Sequence, residues 1–385
     1  MNRRRLGTLA ACLAILVLAC LGCSGSGWSR PPVWIEGASP SFPPDQYLVG
    51  VGQADSQPAA AERAYAAVAR IFKAEVSAQS RDWESFLLFE NRGTTSSQRR
   101  LTLDQLTRVS TDKVLENVRI LDGWFDPKSG LHYALAGMNR TQAGAGLLER
   151  VTELDGKIET ELQEARQSPD RLARLRNLRR AVKDLVVREA YNADLRVIRP
   201  SGRGEASPHR VAELTAELEQ FLSANVAISV EVSGEQAEPV RRAVVEGLIR
   251  EGLPVVAGPV GQDGGRADSK PVEFVARGTV RLWNVMVPDP RFRYVRWCSD
   301  FVVVEPGTQR IVGAVSRAGR EGHLSEGEAK AKAVRVMQQE LTSELARTLA
   351  SYVYGDAESL PNPPPSACPG EGSISGNRGT GDRSS

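Results

Sequence analysis

The stretch that most constrains this chain is Tyr47-Leu48-Val49-Gly50-Val51-Gly52-Gln53-Ala54-Asp55, together with the alanine-rich run that follows it. Tyr47 to Val51 combines aromatic and β-branched residues and is entered from a Pro43-Pro44-Asp45 turn, so it reads as a short strand. Gly50 and Gly52 carry no Cβ, which lets another element lie close against that strand. The spacing then becomes helical, with Ala64, Val68, Ile71, Phe72 and Val76 on one apolar stripe and Val49 expected in the packed strand. Ser56 can cap this helix, and Pro58 suits its first turn, where a missing N–H is harmless. A strand feeding a helix this tightly seeds an α/β layer.

The two glycines also invite a nucleotide reading. A dinucleotide fingerprint needs a third glycine at the mouth of the helix, and Asp55 stands there instead. Its carboxylate would repel a pyrophosphate, so the glycines are read as packing devices.

The chain opens Met1-Asn2-Arg3-Arg4-Arg5, then runs without charge from Leu6 to Leu21. A basic start and an apolar core shorter than the ~20 residues of a spanning helix make an export signal. Gly22-Cys23 followed by Ser24-Gly25-Ser26-Gly27 resembles the bacterial lipobox and its tether, with Cys23 as the acylated residue; Cys20, after Ala19, is the alternative. An ordinary cleaved signal peptide is the competing reading. Ser24, where an aspartate would retain the protein, resembles an outer-membrane sorting signal, so a periplasm-facing, lipid-anchored chain is expected. Removing Arg3, Arg4 and Arg5 with the leader moves the formal charge from +2 to −1. Such a chain has no basic stripe for nucleic acid, and lipid is its expected membrane contact.

The order of elements predicts an α/β (α+β) chain: two small sheet-and-helix domains joined by an antiparallel helical hairpin. The segments are 1–22 leader, 23–30 tether, 31–140 first domain, 141–198 hairpin, 199–208 linker, 209–355 second domain and 356–385 disordered tail. In the first domain the central helix runs to about Gln79, with Phe86-Leu87-Leu88-Phe89 open as its continuation. A Gly93–Ser97 break, a helix at Leu103–Arg108 and two strands, Val118–Phe125 and Leu131–Met138, complete it, the strands joined through Asp126-Pro127-Lys128-Ser129-Gly130. Trp34, the Tyr47–Gly52 strand, the alanine-rich helix, Trp124 and Tyr133-Ala134-Leu135-Ala136 resemble the LPP-twenty family of bacterial envelope lipoproteins over about residues 31–140. The resemblance implies an envelope lipoprotein whose signatures are structural and not catalytic, with some relatives attached to flagellar or outer-membrane assembly.

Leu147, Val151, Leu154, Ile158 and Leu162, then Leu172, Leu175, Leu178, Val182 and Leu185, recur at heptad-like spacing on either side of Ser168-Pro169-Asp170. Ser168 is expected as the cap of the second helix with Pro169 at its first position, and Arg174, Arg176, Arg179 and Arg180 as its solvated face. The second domain reads as a helix at Val211–Leu222, a strand at Val226–Val232, a helix bearing Val240, Val244, Leu248 and Ile249, a short strand at Val255-Val256, and strands Val272–Val287, Tyr294–Val304 and Gln309–Ser316. A closing helix follows from Glu326 to about Tyr352. This order resembles envelope-accessory lipoproteins, including cell-wall synthase activators and the curli secretion lipoprotein.

No chemistry-bearing motif emerges. His132 falls in a strand, His209 in the linker and His323 in a glycine-rich turn, none with a second ligand at metal spacing. There is no nucleophile elbow, Walker loop or CxxC, and Asp263 and Asp268 around Gly264-Gly265 lack calcium-loop spacing. Neither catalytic residue, cofactor nor metal is expected. Cys298 sits in a strand and Cys368 in the tail; the oxidising periplasm would let them pair, but two unpaired thiols are expected. The expected function is a non-enzymatic interaction or assembly module with an unknown envelope protein as partner. The alternatives are a regulator of a cell-wall synthase or of a flagellar or secretion assembly, acting through the second domain, and an enzyme whose site only folding assembles.

Overall fold

In the computed structural model the described residues are 30–37, 39–79, 83–90, 112, 115–256, 272–286, 291–356, 366 and 368. Cys20 and Cys23, the Leu103–Arg108 helix, the Gly93–Ser97 break and the Asp263–Asp268 loop lie outside them. The fold is mixed α/β with two separate sheets, which is the class the residue pattern predicts. The described residues divide into two compact units. One draws on Met1–Lys73, Thr111–Gly144 and Ile198–Pro200, the other on Ala74–Ser110, Ala145–Val197 and Ser201–Ser385.

The first unit holds β1 (Tyr47–Ala54), β2 (Arg119–Asp126) and β3 (Leu131–Asn139), an antiparallel sheet of order β1-β3-β2. Gly130 closes the β2–β3 turn at φ +72°, donating its N–H to the Asp126 carbonyl (2.8 Å). Helix α1 (Gln57–Gln79) lies on the glycine face of β1. A Cβ on Gly52 would come 2.2 Å from the Ala60 carbonyl oxygen and 2.3 Å from the Ala64 nitrogen, and one on Gly50 2.9 Å from Val68. The glycines therefore set how closely the helix backbone approaches, as the packing reading required. Ala60, Ala64, Val68 and Phe72 are fully buried at that contact.

Two expectations fail by one residue of phase. Leu48, Gly50, Gly52 and Ala54 form the buried face of β1, so Val49 points to the other side and is only half-buried. Ile71, adjacent to Phe72, falls off the stripe and is 39 % exposed. The other face of the sheet is closed by a 3-10 turn (Val33–Glu36), whose buried Trp34 donates its indole N–H to Asp122 (2.8 Å). The unit is stapled by Arg140, whose guanidinium donates to the carbonyls of Pro44 (2.8 Å), Tyr47 (3.2 Å) and Ile198 (2.6 Å). Beside that staple a Cβ on Gly144 would lie 3.4 Å from the Ile198 side chain.

In the second unit Phe86–Phe89 belong to a separate helix, α2 (Glu84–Glu90), and do not continue α1. Helices α3 (Arg140–Gln167) and α4 (Arg171–Ile198) form the expected hairpin, with both leucine rows buried. The cap of α4 is Asp170, not Ser168: its carboxylate accepts the Leu172 N–H (2.8 Å) while the Ser168 hydroxyl accepts the Asp170 N–H (3.2 Å). A carboxylate satisfies an orphan helix donor and also favours the positive end of the helix dipole. Helix α5 (Val211–Asn225) leads into β4 (Ile228–Gly234). Helix α6 (Ala237–Arg250) lies between β4 and β5 (Phe274–Val285), which pair in parallel, as a parallel connection demands. Val255 makes only an isolated bridge to Ile228.

β6 (Arg293–Glu305) and β7 (Arg310–His323) complete a meander of order β4-β5-β6-β7. His323 therefore ends a long strand and does not sit in a turn. Helix α7 (Glu326–Tyr354), capped by Ser325, closes the unit and crosses α6 at Gly247, where a Cβ would meet the Thr342 carbonyl at 2.3 Å. Leucines of α4 share one buried cluster with Phe274, Trp297 and Phe301 of the sheet and Leu341 and Leu345 of α7.

Candidate functional site

The most elaborate polar construction in the second unit begins at Arg188. It continues the i, i+3 stripe of Leu185 on α4, so folding carries a charged side chain into the interior, where it is fully buried. A buried guanidinium is tolerable only when its donors are satisfied, and all five N–H groups are committed. Nε and Nη2 grip the two oxygens of Asp155 on α3 (3.0 and 3.3 Å). Nη1 donates to Glu189 (2.7 Å) and the Glu205 carbonyl (3.1 Å), and Nη2 donates to the Ala206 carbonyl (3.0 Å). Burial alone would lower the Arg188 pKa; the hydrogen bond and charge of Asp155 and the charge of Glu189 outweigh it, so the pKa is raised.

One helical turn on, Asn192 completes the grip. Its amide donates to the Glu205 carbonyl (3.0 Å) and to Glu189 (3.2 Å), and its carbonyl accepts the Glu205 N–H (2.7 Å). Within residues 199–208, read as a linker, Glu205 and Ala206 are thus fastened to α4. Gly204 serves close approach there: a Cβ on it would lie 2.2 Å from the Asn192 side-chain carbonyl oxygen.

The fastened segment lines a groove of about 890 Å³ together with Trp83, just before α2, and Glu84 and Leu88 of α2. Glu189, Asn192 and Arg196 make its floor, and His209 and Arg210 stand at its rim. Of the three histidines, His209 lines this groove, and its Nε2 lies 3.5 Å from Glu159. His132 packs on the Phe125 ring (4.7 Å), and His323 is exposed at a strand end, so the three are not gathered. Among the described residues no group of three or more His, Cys, Asp or Glu side chains could hold a metal ion.

The arginines expected on a solvated face of α4 are mostly packed. Arg179 grips Glu90 with Nε (2.6 Å) and Nη2 (2.9 Å), reaches Asp356 (2.7 Å) and donates to the Tyr354 carbonyl (2.8 Å). Arg174 and Arg176 lie over the rings of Phe221 and Tyr352 (4.7 and 5.0 Å). Arg180 alone of the four keeps a mostly exposed side chain, 3.7 Å from Glu161. Burial, then the neighbouring Asp184 carboxylate, push the Glu161 pKa up to about 7, while Lys157 holds Asp184 at 2.8 Å.

Cys298 and Cys368 form a disulfide across 70 residues, against the expectation of two free thiols. Asp300 draws the segment in by accepting the Cys368 N–H (3.1 Å) and the Ser366 hydroxyl. These residues border a second, shallower groove on the sheet face beside Trp283, Arg296 and Arg320.

Residues 32–139 match the LPP20 lipoprotein family. The matched segment takes in the 3-10 turn, α1, α2 and the strands β1 to β3. Outside the LPP20 segment lie the hairpin from Arg140 onward and the whole second sheet. No curated protein matches the chain. Among solved structures, the secreted protein HP1454 of Helicobacter pylori is 13 % identical, covering 79 % of this chain and 97 % of its own, with a TM-score of 0.36. Rare lipoprotein B of Shewanella oneidensis is 18 % identical over 34 % of this chain and 96 % of its own (TM-score 0.22). A minor lipoprotein of Acinetobacter baumannii is 9 % identical over 34 % and 92 % (TM-score 0.23).

Proposed function

We propose that this chain is a lipoprotein of the bacterial outer membrane, held through acylated Cys23 and facing the periplasm, that acts by contact as an interaction or assembly module. The LPP20 match and the Gly22-Cys23 junction after a basic, apolar leader support the lipoprotein part. The contact part rests on one observation: all five donors of the buried Arg188 are spent within the protein, three on Asp155 and Glu189 and two on the Glu205 and Ala206 carbonyls, so the cluster holds in place the segment that lines the groove. The cluster preforms a shape, and preforming lowers the ordering cost of binding a partner. The rim supplies the contacts, with Leu88 48 % exposed and the Arg210 side chain 82 % exposed.

The anchor is tested by Cys23→Ser. The variant is expected to leave the membrane fraction and to stop labelling with palmitate; retention with label would reassign the lipid to Cys20. The contact reading is tested with a photo-crosslinking residue at Leu88 or Arg210 in living cells. One discrete adduct, lost when Arg188→Ala frees the groove wall, is expected. Absence of any adduct from both positions would refute the groove as a contact surface.

A further inference from the structure

The far end of the second sheet carries exposed apolar side chains that its fold does not use. Met286, just past β5, is 96 % exposed; Phe292, just before β6, is 40 %; and Leu324, just past β7, is 69 %. Strand register places them at one end, because Val285 pairs with Tyr294, and Arg293 with His323. Large apolar side chains gathered at an exposed edge mark a binding surface.

The rows behind that edge are graded. The first row on the open face is Val285, Tyr294 and Gly322. The next row is Trp283, Arg296 and Arg320, about 7 Å further in, since two residues separate same-face rows. Trp283 and Tyr294 are half-buried, so part of each ring is open, and Arg320 lies over the Tyr294 ring (5.2 Å). Arg293, Arg296 and Arg320 are exposed. Among the described carboxylates, Glu321 is paired with Lys332 (2.9 Å) and Glu326 with Lys330 (2.9 Å). A net positive collar therefore surrounds an apolar edge.

From the tip inward come the apolar side chains with Arg293 beside them, then Tyr294, then a row in which Arg296 lies between Trp283 and Arg320. An apolar edge backed by aromatic rings and arginines matches a bilayer surface from acyl boundary to headgroups. We propose that this end of the second sheet docks on membrane surfaces bearing anionic phospholipid. Met286, Phe292 and Leu324 enter the boundary region, Trp283 and Tyr294 lie at headgroup level, and Arg293, Arg296 and Arg320 pair with phosphates. The inference uses the lipid-anchor reading only for the presence of a membrane, and acyl-free protein tests it independently of Cys23.

The experiment takes the chain from Ser24 onward, which contains every described residue, and measures co-sedimentation with vesicles. One set is phosphatidylethanolamine with phosphatidylglycerol and the other is phosphatidylcholine alone. Binding to the anionic set only is expected, weakening about fivefold for each arginine in Arg296→Gln and Arg320→Gln. Met286→Ser with Phe292→Ser should weaken it at least tenfold, while Ile249→Ser, on the exposed side of α6, leaves it unchanged. Should the double variant lose its fold, salt titration of the parent chain decides, since collar–headgroup pairing must weaken steeply as salt rises. Equal binding to both vesicle sets, no binding to either, salt-independent binding, or a folded double variant that binds like the parent would overturn the proposal.

Discussion

The two sheets solve the same problem, covering one face with helix, in opposite ways. In the first, side chains are removed: Gly50 and Gly52 let the backbone of α1 lie almost on β1, and alanines fill the seam. In the second, side chains are enlarged: Phe274, Trp297 and Phe301 project from the strands toward α7, and Gly278 survives only because the Phe301 ring occupies the space of its Cβ. A seam of small residues tolerates no addition, whereas a seam of large residues tolerates no loss. The second unit adds a feature that the described part of the first lacks, a fully buried arginine that ties helices to an irregular segment.

The sharpest test of that difference is Arg188→Ala. Removing the cation leaves Asp155 and Glu189 without their partner and frees residues 205 and 206, so a loss of about 3–5 kcal/mol is expected in chemical denaturation. Arg188→Met, which keeps the volume, should cost nearly as much if the charge pairing dominates, and far less if packing does.

Next comes Gly52→Val, expected to cost about 3 kcal/mol because backbone, which cannot rotate aside, occupies the space the side chain needs. The equivalent insertion at Gly146, with nothing within 4 Å, should be close to neutral. If both behave alike, the small-residue seam is not what sets the approach of α1. Cys368→Ser opens the 70-residue covalent loop and is expected to cost about 2 kcal/mol, below the chain-entropy limit, since the bridge ties only one end of that segment to β6.

The smallest effect concerns Glu161. Its folded pKa, raised to about 7 from an ordinary 4.5, means that the folded state holds a proton the unfolded state has released across that window. Stability should therefore fall as pH rises from about 4.5 to 7 and level off above it. Glu161→Gln should flatten this slope and raise stability at pH 8 by about 1–2 kcal/mol in thermal melts. An unchanged slope would place the proton elsewhere.

What could be read from residues alone divides along the same line as the two sheets. Glycine and alanine spacing reports backbone approach directly, so β1, α1 and their contact were legible at Tyr47–Phe72. Leucine periodicity likewise reported both helices of the hairpin. The errors at Val49 and Ile71 are phase errors of one residue, which composition cannot resolve when apolar residues are adjacent. The candidate site was not legible, because its logic is pairwise across distance. Arg188 and Asp155 are 33 residues apart, and Cys298 and Cys368 are 70. One signal was present and passed over: Arg188 and Asn192 continue the apolar stripe of Val182 and Leu185, and a polar residue at a core position announces a buried partner.

The Arg140 staple has a topological consequence. The chain leaves the first unit after Gly144 and re-enters it at Ile198, two points in van der Waals reach of each other and fastened by one guanidinium. Seen from the first unit, the intervening helices are an insertion with coincident ends, the arrangement in which a parent domain feels the inserted length only as a slowly growing closure entropy.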